Sequence, residues 1–196
     1  MIFTETKLKG SFVIEIEPIE DERGFFSRTF CQKEFKKHGL NPCIAQCNIS
    51  HNKKKGTLRG MHYQAAPHEE AKIVSCIKGS IYDVIIDLRI DSPTYCQWLA
   101  VELTAHNLLG TAHSFPLTTN YKMLYIPKGM AHGFQTLEDN TVVFYQMSEF
   151  YHPESARGVR WDDPVFGIIW PFAPKILSER DRSYPSFQLS EARYQK

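Results

Sequence analysis

The chain has 196 residues, 42% of them hydrophobic and 23% charged, with a formal net charge of +1. This is ordinary globular composition, and the length suits one domain with a sizeable core. A near-zero balance excludes a global field for nucleic acid or an anionic membrane, so any basic site must be local.

The opening MIFTETKLKG lacks the apolar stretch of a secretory leader. No apolar run approaches the ~20 residues that span a bilayer. A cytoplasmic protein with no membrane and no nucleic-acid partner is expected. Alternation begins at 11–19 (SFVIEIEPI) and predicts a strand. The segment 32–40 (QKEFKKHGL) predicts a short helix with Gly39 as its stop. Cys31, Cys43, Cys47, Cys76 and Cys96 are odd in number and include no CxxC pair, which suits reduced structural thiols. The stretch 58–64 (LRGMHYQ) has strand character. Further strands are expected at 72–79, 79–90 and 96–104. Residues 105–120 (AHNLLGTAHSFPLTTN) read as a long loop carrying solvated His106 and His113. Strand-like runs return at 121–127, 132–137 and 141–151. A short helix at 177–185 opens on Ser178 with Asp181 three residues on, a capping-type turn. A polar tail, 186–196, follows. Many short strands with Gly, Pro, Asn and Asp punctuation predict an all-β sandwich or barrel.

His62 is the residue whose purpose is least obvious. Its spacing leaves three readings open: a metal ligand, a base, or a ring satisfied inside the core. Jelly-roll metal sites often place a second histidine two residues on, but Gln64 stands there. His132, in PKGMAHGF, is then the remaining candidate, and two imidazoles are too few for a site. No metal is expected. A neutral imidazole suits proton abstraction when an orienting group, an acid and an anion-stabilising group accompany it. Asp181, Tyr145 and Lys72 are candidates for these parts. Arg23 and Arg59 each precede a glycine, which lets backbone and guanidinium approach a phosphate together. Taken singly, each residue is more often structural: a satisfied core histidine, a core or rim tyrosine, a solvated strand end, a helix cap.

A set of ordered segments changes this. DERGFFSRTF (21–30), QCNIS (46–50), LRGMHYQ (58–64), AKIVSCIKGSIYDVIIDLRIDSPTY (71–95), IPKGMAHGF (126–134), FYQMSEFYHP (144–153), RGVRWDDP (157–164), IIWP (168–171) and LSERD (177–181) together resemble the dTDP-4-dehydrorhamnose 3,5-epimerase family. The resemblance covers about residues 3–181. It implies a cupin-type jelly roll over about 10–152, a return segment and short C-terminal helix over about 153–185, and one epimerase domain in all. It implies a cofactor-independent epimerase of a nucleotide-linked 4-keto-6-deoxyhexose, inverting C3, C5 or both. The implied catalytic set is His62 as base, Asp181 as its carboxylate, Tyr145 as proton donor to the opposite face, and Lys72 at the enolate oxygen. The implied substrate-binding set is Arg23 and Arg59 at the diphosphate, Gln46, Asn48 and His132 around sugar and nucleotide, and Phe26 and Tyr151 at the base. Homodimers that exchange N-terminal strands are also implied, with Arg23, Phe26 and Arg28 serving the partner subunit.

Three features depart from the family pattern. Arg28 stands where Phe-x-Glu is usual, Ala156 stands where a glutamate is usual, and the 105–120 segment is longer. They bear on which nucleotide and sugar are recognised. A single-carbon epimerase, a 3,4-ketoisomerase and a non-catalytic sugar-nucleotide-binding jelly roll stay open as alternatives.

Overall fold

A computed structural model describes residues 1–106 and 121–188 of the chain. In chain order the strands are β1 (Ile2–Glu5), β2 (Phe12–Glu15), β3 (Ile19–Asp21), β4 (Gly24–Phe26), β5 (Gln46–Asn52), β6 (Leu58–Gln64), β7 (Lys72–Lys78), β8 (Ser80–Asp87), β9 (Trp98–Thr104), β10 (Lys122–Ile126), β11 (Met130–Thr136), β12 (Thr141–Met147) and β13 (Ala156–Gly158). Two short helices, α1 (Gln32–Lys37) and α2 (Glu179–Arg182), complete the described elements.

The strands form a six-stranded sheet in the order β1-β2-β10-β7-β12-β5 and a five-stranded sheet in the order β13-β6-β11-β8-β9. Their inner faces pack together. Val74, Cys76, Leu124, Ile126 and Val143 of the first sheet meet Ile81, Ile85, Leu99, Leu103, Met130 and Phe134 of the second in one core. This is the expected cupin-type jelly-roll sandwich. The outer face of the six-stranded sheet is covered by α1, whose Phe35 packs with Ile14, Ile73, Met123 and Tyr125. The outer face of the five-stranded sheet is covered by the C-terminal segment through Val159 and Phe166. Some strands, such as β8, are thus buried on both faces, and their alternation separates two apolar layers rather than core from water.

Several boundaries differ from the sequence expectation. The 11–19 strand stops at Glu15, beyond which lies Pro18, which has no N–H to give a ladder. Ile19–Asp21 instead pairs with Gly24–Phe26 in a separate hairpin. The 79–90 strand ends at Asp87, whose carboxylate takes the Arg89 N–H at 3.0 Å and the Ser92 and Thr94 hydroxyls at 2.5 and 2.6 Å. The turn so formed outcompetes the ladder. The early helix stops as expected, with Gly39 in the left-handed region at φ 72°. Ser178 caps α2, its hydroxyl accepting the Asp181 N–H at 3.1 Å. The Asp181 carboxylate does not close a capping box; it goes to His62. Of the expected 105–120 loop, residues 107–120 with His113 lie outside the described residues, as does most of the 186–196 tail. His106 is described, and its ring meets Glu138 at 2.6 Å. All five cysteines are free thiols, and burial pushes that of Cys76 up to about 12. No described helix is long and apolar enough to cross a membrane.

Candidate active site

At one end of the sandwich the inward residues become polar. Paired residues share a face, so register alone places Gln46, Met147 and Lys72 in one inward row and Asn48, Tyr145 and Val74 in the next. On the opposite sheet the inward phase carries Asp83, His132 and His62, with His132 opposite His62. Between these walls lies a cavity of about 440 Å³. Arg59, His62, Lys72, His132, Tyr145 and Tyr151 all line it.

Arg59 and His62 are three residues apart, which in a regular strand puts side chains on opposite faces. A β-bulge resolves the conflict. The pairing with β11 runs His132↔His62 and then Phe134↔Arg59, so Gly60 and Met61 together face Gly133. Glycine is required on both sides of this crossing. Gly60 sits at φ 146°, and a Cβ on it would lie 2.6 Å from Gly133 Cα. A Cβ on Gly133 would lie 2.6 Å from Met61 Sδ and 2.7 Å from the Arg59 carbonyl. The bulge turns Met61 outward into the apolar layer and leaves Arg59 and His62 side by side on the cavity.

His62 Nε2 is 2.7 Å from Asp181 Oδ1. The Asp181 side chain is only 6% exposed. Burial opposes its charge, but the His62 contact, the Gly60 N–H and Ser178 outweigh this and hold its carboxyl below the usual range. The carboxylate therefore fixes the ring through Nε2 and leaves Nδ1 as the nitrogen with a free lone pair. Lys72 is nearly as deep, with side chain 10% exposed. Its ammonium lies 2.8 Å from Glu70 Oε1 and donates to the His62 carbonyl at 3.4 Å. Burial pushes the Tyr145 phenol up, against the lowering effect of nearby Arg59, so it stays protonated. His132 is held by Asp83 at 2.7 Å. The second oxygen of that buried aspartate has no partner, and burial pushes its carboxyl up despite His132 and Lys72.

The charges around the cavity are segregated. Among the described residues, Arg59, Lys72, Arg157 and Arg180 line it against a single carboxylate, Glu70. The near-neutral chain thus concentrates cations where an anion of diphosphate size would sit. Arg59 is aimed by Asn52, whose Oδ1 accepts its Nε–H at 2.7 Å. Tyr151 is half exposed at the mouth, its N–H donated to Gln46 Oε1 at 2.8 Å.

Not every expected residue reaches the cavity. Gln46 and Asn48 face inward on β5 beside Met147, at 3.6 Å from its sulfur, but do not line the wall. Arg23, Phe26 and Arg28 belong to the β3–β4 hairpin and its exit, outside this cavity. Arg23 pairs with Asp21, Arg28 meets Glu34 at 3.2 Å, and Phe26 is 71% exposed. Ala156 does line the cavity, so a glutamate at that position would add a second carboxylate to Glu70 on the described wall. Sequence reading missed Glu70, Asp83, Asn52, Arg157 and Arg180. Asp83 carried a usable signal, since a charged residue in phase with the apolar ones of a strand points into the core and needs a buried partner.

A jelly roll that holds a His–Asp dyad against a buried, protonated tyrosine inside a basic cavity is built to move protons on an anionic substrate, the equipment of an epimerase. The sequence pattern of dTDP-4-dehydrorhamnose 3,5-epimerase matches residues 5–189. The dTDP-4-dehydrorhamnose 3,5-epimerase of Methanothermobacter thermautotrophicus is 40% identical over 185 residues, 93% of this chain and 92% of its own. The crystal structure of the enzyme so named from Elizabethkingia anophelis superimposes with a TM-score of 0.86 at 37% identity, covering 95% of this chain and 96% of that one. That from Bacillus anthracis, with TDP and PPi bound, gives 0.85 at 36% identity, covering 95% and 99%. The chain belongs to the dTDP-4-dehydrorhamnose 3,5-epimerase family.

Proposed function

We propose that the chain epimerises a dTDP-linked 4-keto-6-deoxyhexose at the carbons flanking the ketone, with His62, Lys72, Tyr145 and Asp181 as the working groups. The observation that carries this is the division of parts between the walls. His62 stands on the five-stranded sheet, and Tyr145 and Lys72 on the six-stranded sheet opposite. Inversion needs a base on one face of the carbon and an acid on the other.

His62 takes the proton beside the ketone, and the electron pair moves onto the carbonyl oxygen as an enolate. Lys72 hydrogen-bonds to that oxygen; a preorganised donor of this kind contributes about 3 kcal/mol in a dry site. Asp181 stabilises the imidazolium. Tyr145 protonates the carbon from the far side, and both groups recover their starting states by exchange with water. Arg59 holds the diphosphate, His132 lines the sugar pocket, Gln46 and Asn48 support its wall from behind through Tyr151 and Met147, and Tyr151 stacks on the base. The partner subunit's hairpin completes each site in a homodimer with exchanged N-terminal strands, supplying Arg23, Phe26 and Arg28. That reading is supported by the self-paired β3–β4 hairpin, whose Ile19 and Phe26 are both 71% exposed. The chain works as one domain in the cytoplasm, where its free thiols stay reduced.

The test is wash-in of solvent deuterium at C3 and C5 of dTDP-4-keto-6-deoxyglucose, followed by NMR. Wild type exchanges and inverts one or both centres, and His62→Ala does neither. Undiminished exchange in His62→Ala overturns the assignment of the base. A product with its ketone at C3 overturns epimerisation in favour of ketoisomerisation.

A further inference from the structure

Outside the cavity, one group of potential metal-binding side chains converges among the described residues: His68, His152 and Glu154. We infer that these three form a binding site for a divalent transition ion of the zinc class, clipping together two loops at the cavity rim.

The donor atoms are close to coordination distance. His152 Nδ1 lies 3.0 Å and His68 Nδ1 4.0 Å from the same Glu154 oxygen, and one ligand atom from each of the three side chains falls within 4.8 Å of the others. Ligands about 2.1 Å from a tetrahedral ion stand about 3.4 Å apart, so small side-chain movements close the set. Two imidazoles and a carboxylate are a donor set for Zn²⁺ or Co²⁺ rather than for Mg²⁺ or Ca²⁺. Three protein ligands leave a fourth position to water. The two rings now stack in parallel, with centroids 3.6 Å apart and planes 9° apart. Because an ion must lie in the plane of each ring, binding turns them out of this stack. His68 also gives up its 2.9 Å contact with Ser155 Oγ. Side chains about 30% exposed have room to turn.

The backbone beneath is already fixed. Buried Gln64 donates to the His68 carbonyl at 2.8 Å and the Phe150 carbonyl at 3.1 Å, and accepts the His152 N–H at 2.6 Å. One amide thus holds both loops in register, so an ion joins side chains whose main chains are preorganised. The first loop leads to Glu70 and Lys72, and the second follows Tyr151. An ion here would restrain the rim without touching the reacting carbons.

The test uses the full chain, stripped with EDTA and desalted, titrated with CoCl₂ and separately with ZnCl₂. The expected result is one equivalent bound, visible cobalt absorption without thiolate charge transfer, and a raised unfolding temperature. His68→Ala and His152→Ala should each weaken binding by at least about tenfold, since even changes around a metal's ligands cost that much. Glu154→Gln, which keeps size and one oxygen, should weaken it less and guards against a folding defect in the histidine variants. Three outcomes overturn the proposal: no saturable uptake, affinity unchanged in both histidine variants, or thiolate charge transfer that assigns the ion to exposed Cys43 and Cys47. This readout is independent of turnover, so it stands or falls apart from the epimerase reading.

Discussion

Asp181→Asn isolates the charge of the dyad from its shape. The amide keeps the size of the carboxylate, and its oxygen can still accept from His62 Nε2, so the variant removes mainly the negative charge. In the wild type that charge is secured by a carboxyl held below the usual range. With hydrogen-bonded atoms 2.7 Å apart, charge centres about 4 Å apart attract by about 4 kcal/mol at an effective dielectric constant of 20. His62 is 38% exposed, and that exposure, with the retained hydrogen bond, reduces the loss to about 2–4 kcal/mol. The loss falls on the transition state, where the imidazolium forms, so kcat should drop about 30- to 1000-fold. KM should change little, because the substrate binds before the ring is charged. The assay is initial-rate deuterium wash-in at saturating substrate, with a thermal melt to show an intact fold. A rate within about threefold of wild type would refute the reasoning and demote Asp181 to a positioning group.

Tyr145→Phe should lower inverted product by about 10²–10⁴-fold, the usual worth of a general acid, while deuterium exchange with retention continues through His62; equal loss of exchange and inversion would show that Tyr145 is needed to form the enolate. Gly133→Ala must displace backbone at the β6–β11 crossing, so we expect about 1–3 kcal/mol of lost stability in urea unfolding and a fall in kcat as Arg59 and His62 separate. An unchanged midpoint would mean that the bulge has slack. Asp87 is fully buried, and the hydrogen bonds from Arg89, Ser92 and Thr94 prevail over burial to lower its pKa. Its contribution is present above the unfolded carboxyl pKa and is lost as pH falls through the lower folded value. Asp87→Asn should therefore cost about 2 kcal/mol at pH 7 and progressively less below about pH 4, measured as the gap between urea midpoints; a gap that stays constant with pH excludes the linkage.

Much of the fold was legible because strands buried on one or both faces keep a period of two. What was hard to read has physical reasons. In β5 the inward residues Gln46, Asn48, Ser50 and Asn52 are polar while Ile49 faces out at 67% exposure, so its pattern runs opposite to that of a core strand. β13 is a three-residue edge strand whose partner, β6, lies far away in the chain. The dyad joins residues 119 positions apart, and no local spacing encodes that; family resemblance supplied it. Glu70 was hidden because its carboxylate serves Lys72 and the Gln64 N–H inside a loop, whereas Glu69 beside it has the same residue chemistry and no such setting.

The crossing of Gly60 and Gly133 has one more consequence. It places Arg59 and His62, the proposed phosphate holder and base, on a single piece of backbone, three positions and so at most about 10 Å apart. Under the proposed assignment β6 acts as a ruler: it measures from the diphosphate to the carbon that loses its proton. A nucleoside monophosphate sugar, shorter by one phosphoryl group, would anchor at the same mark and present the wrong atom to His62. Discrimination by length is then built into the strand itself, and it would survive any change in the residues that read the base.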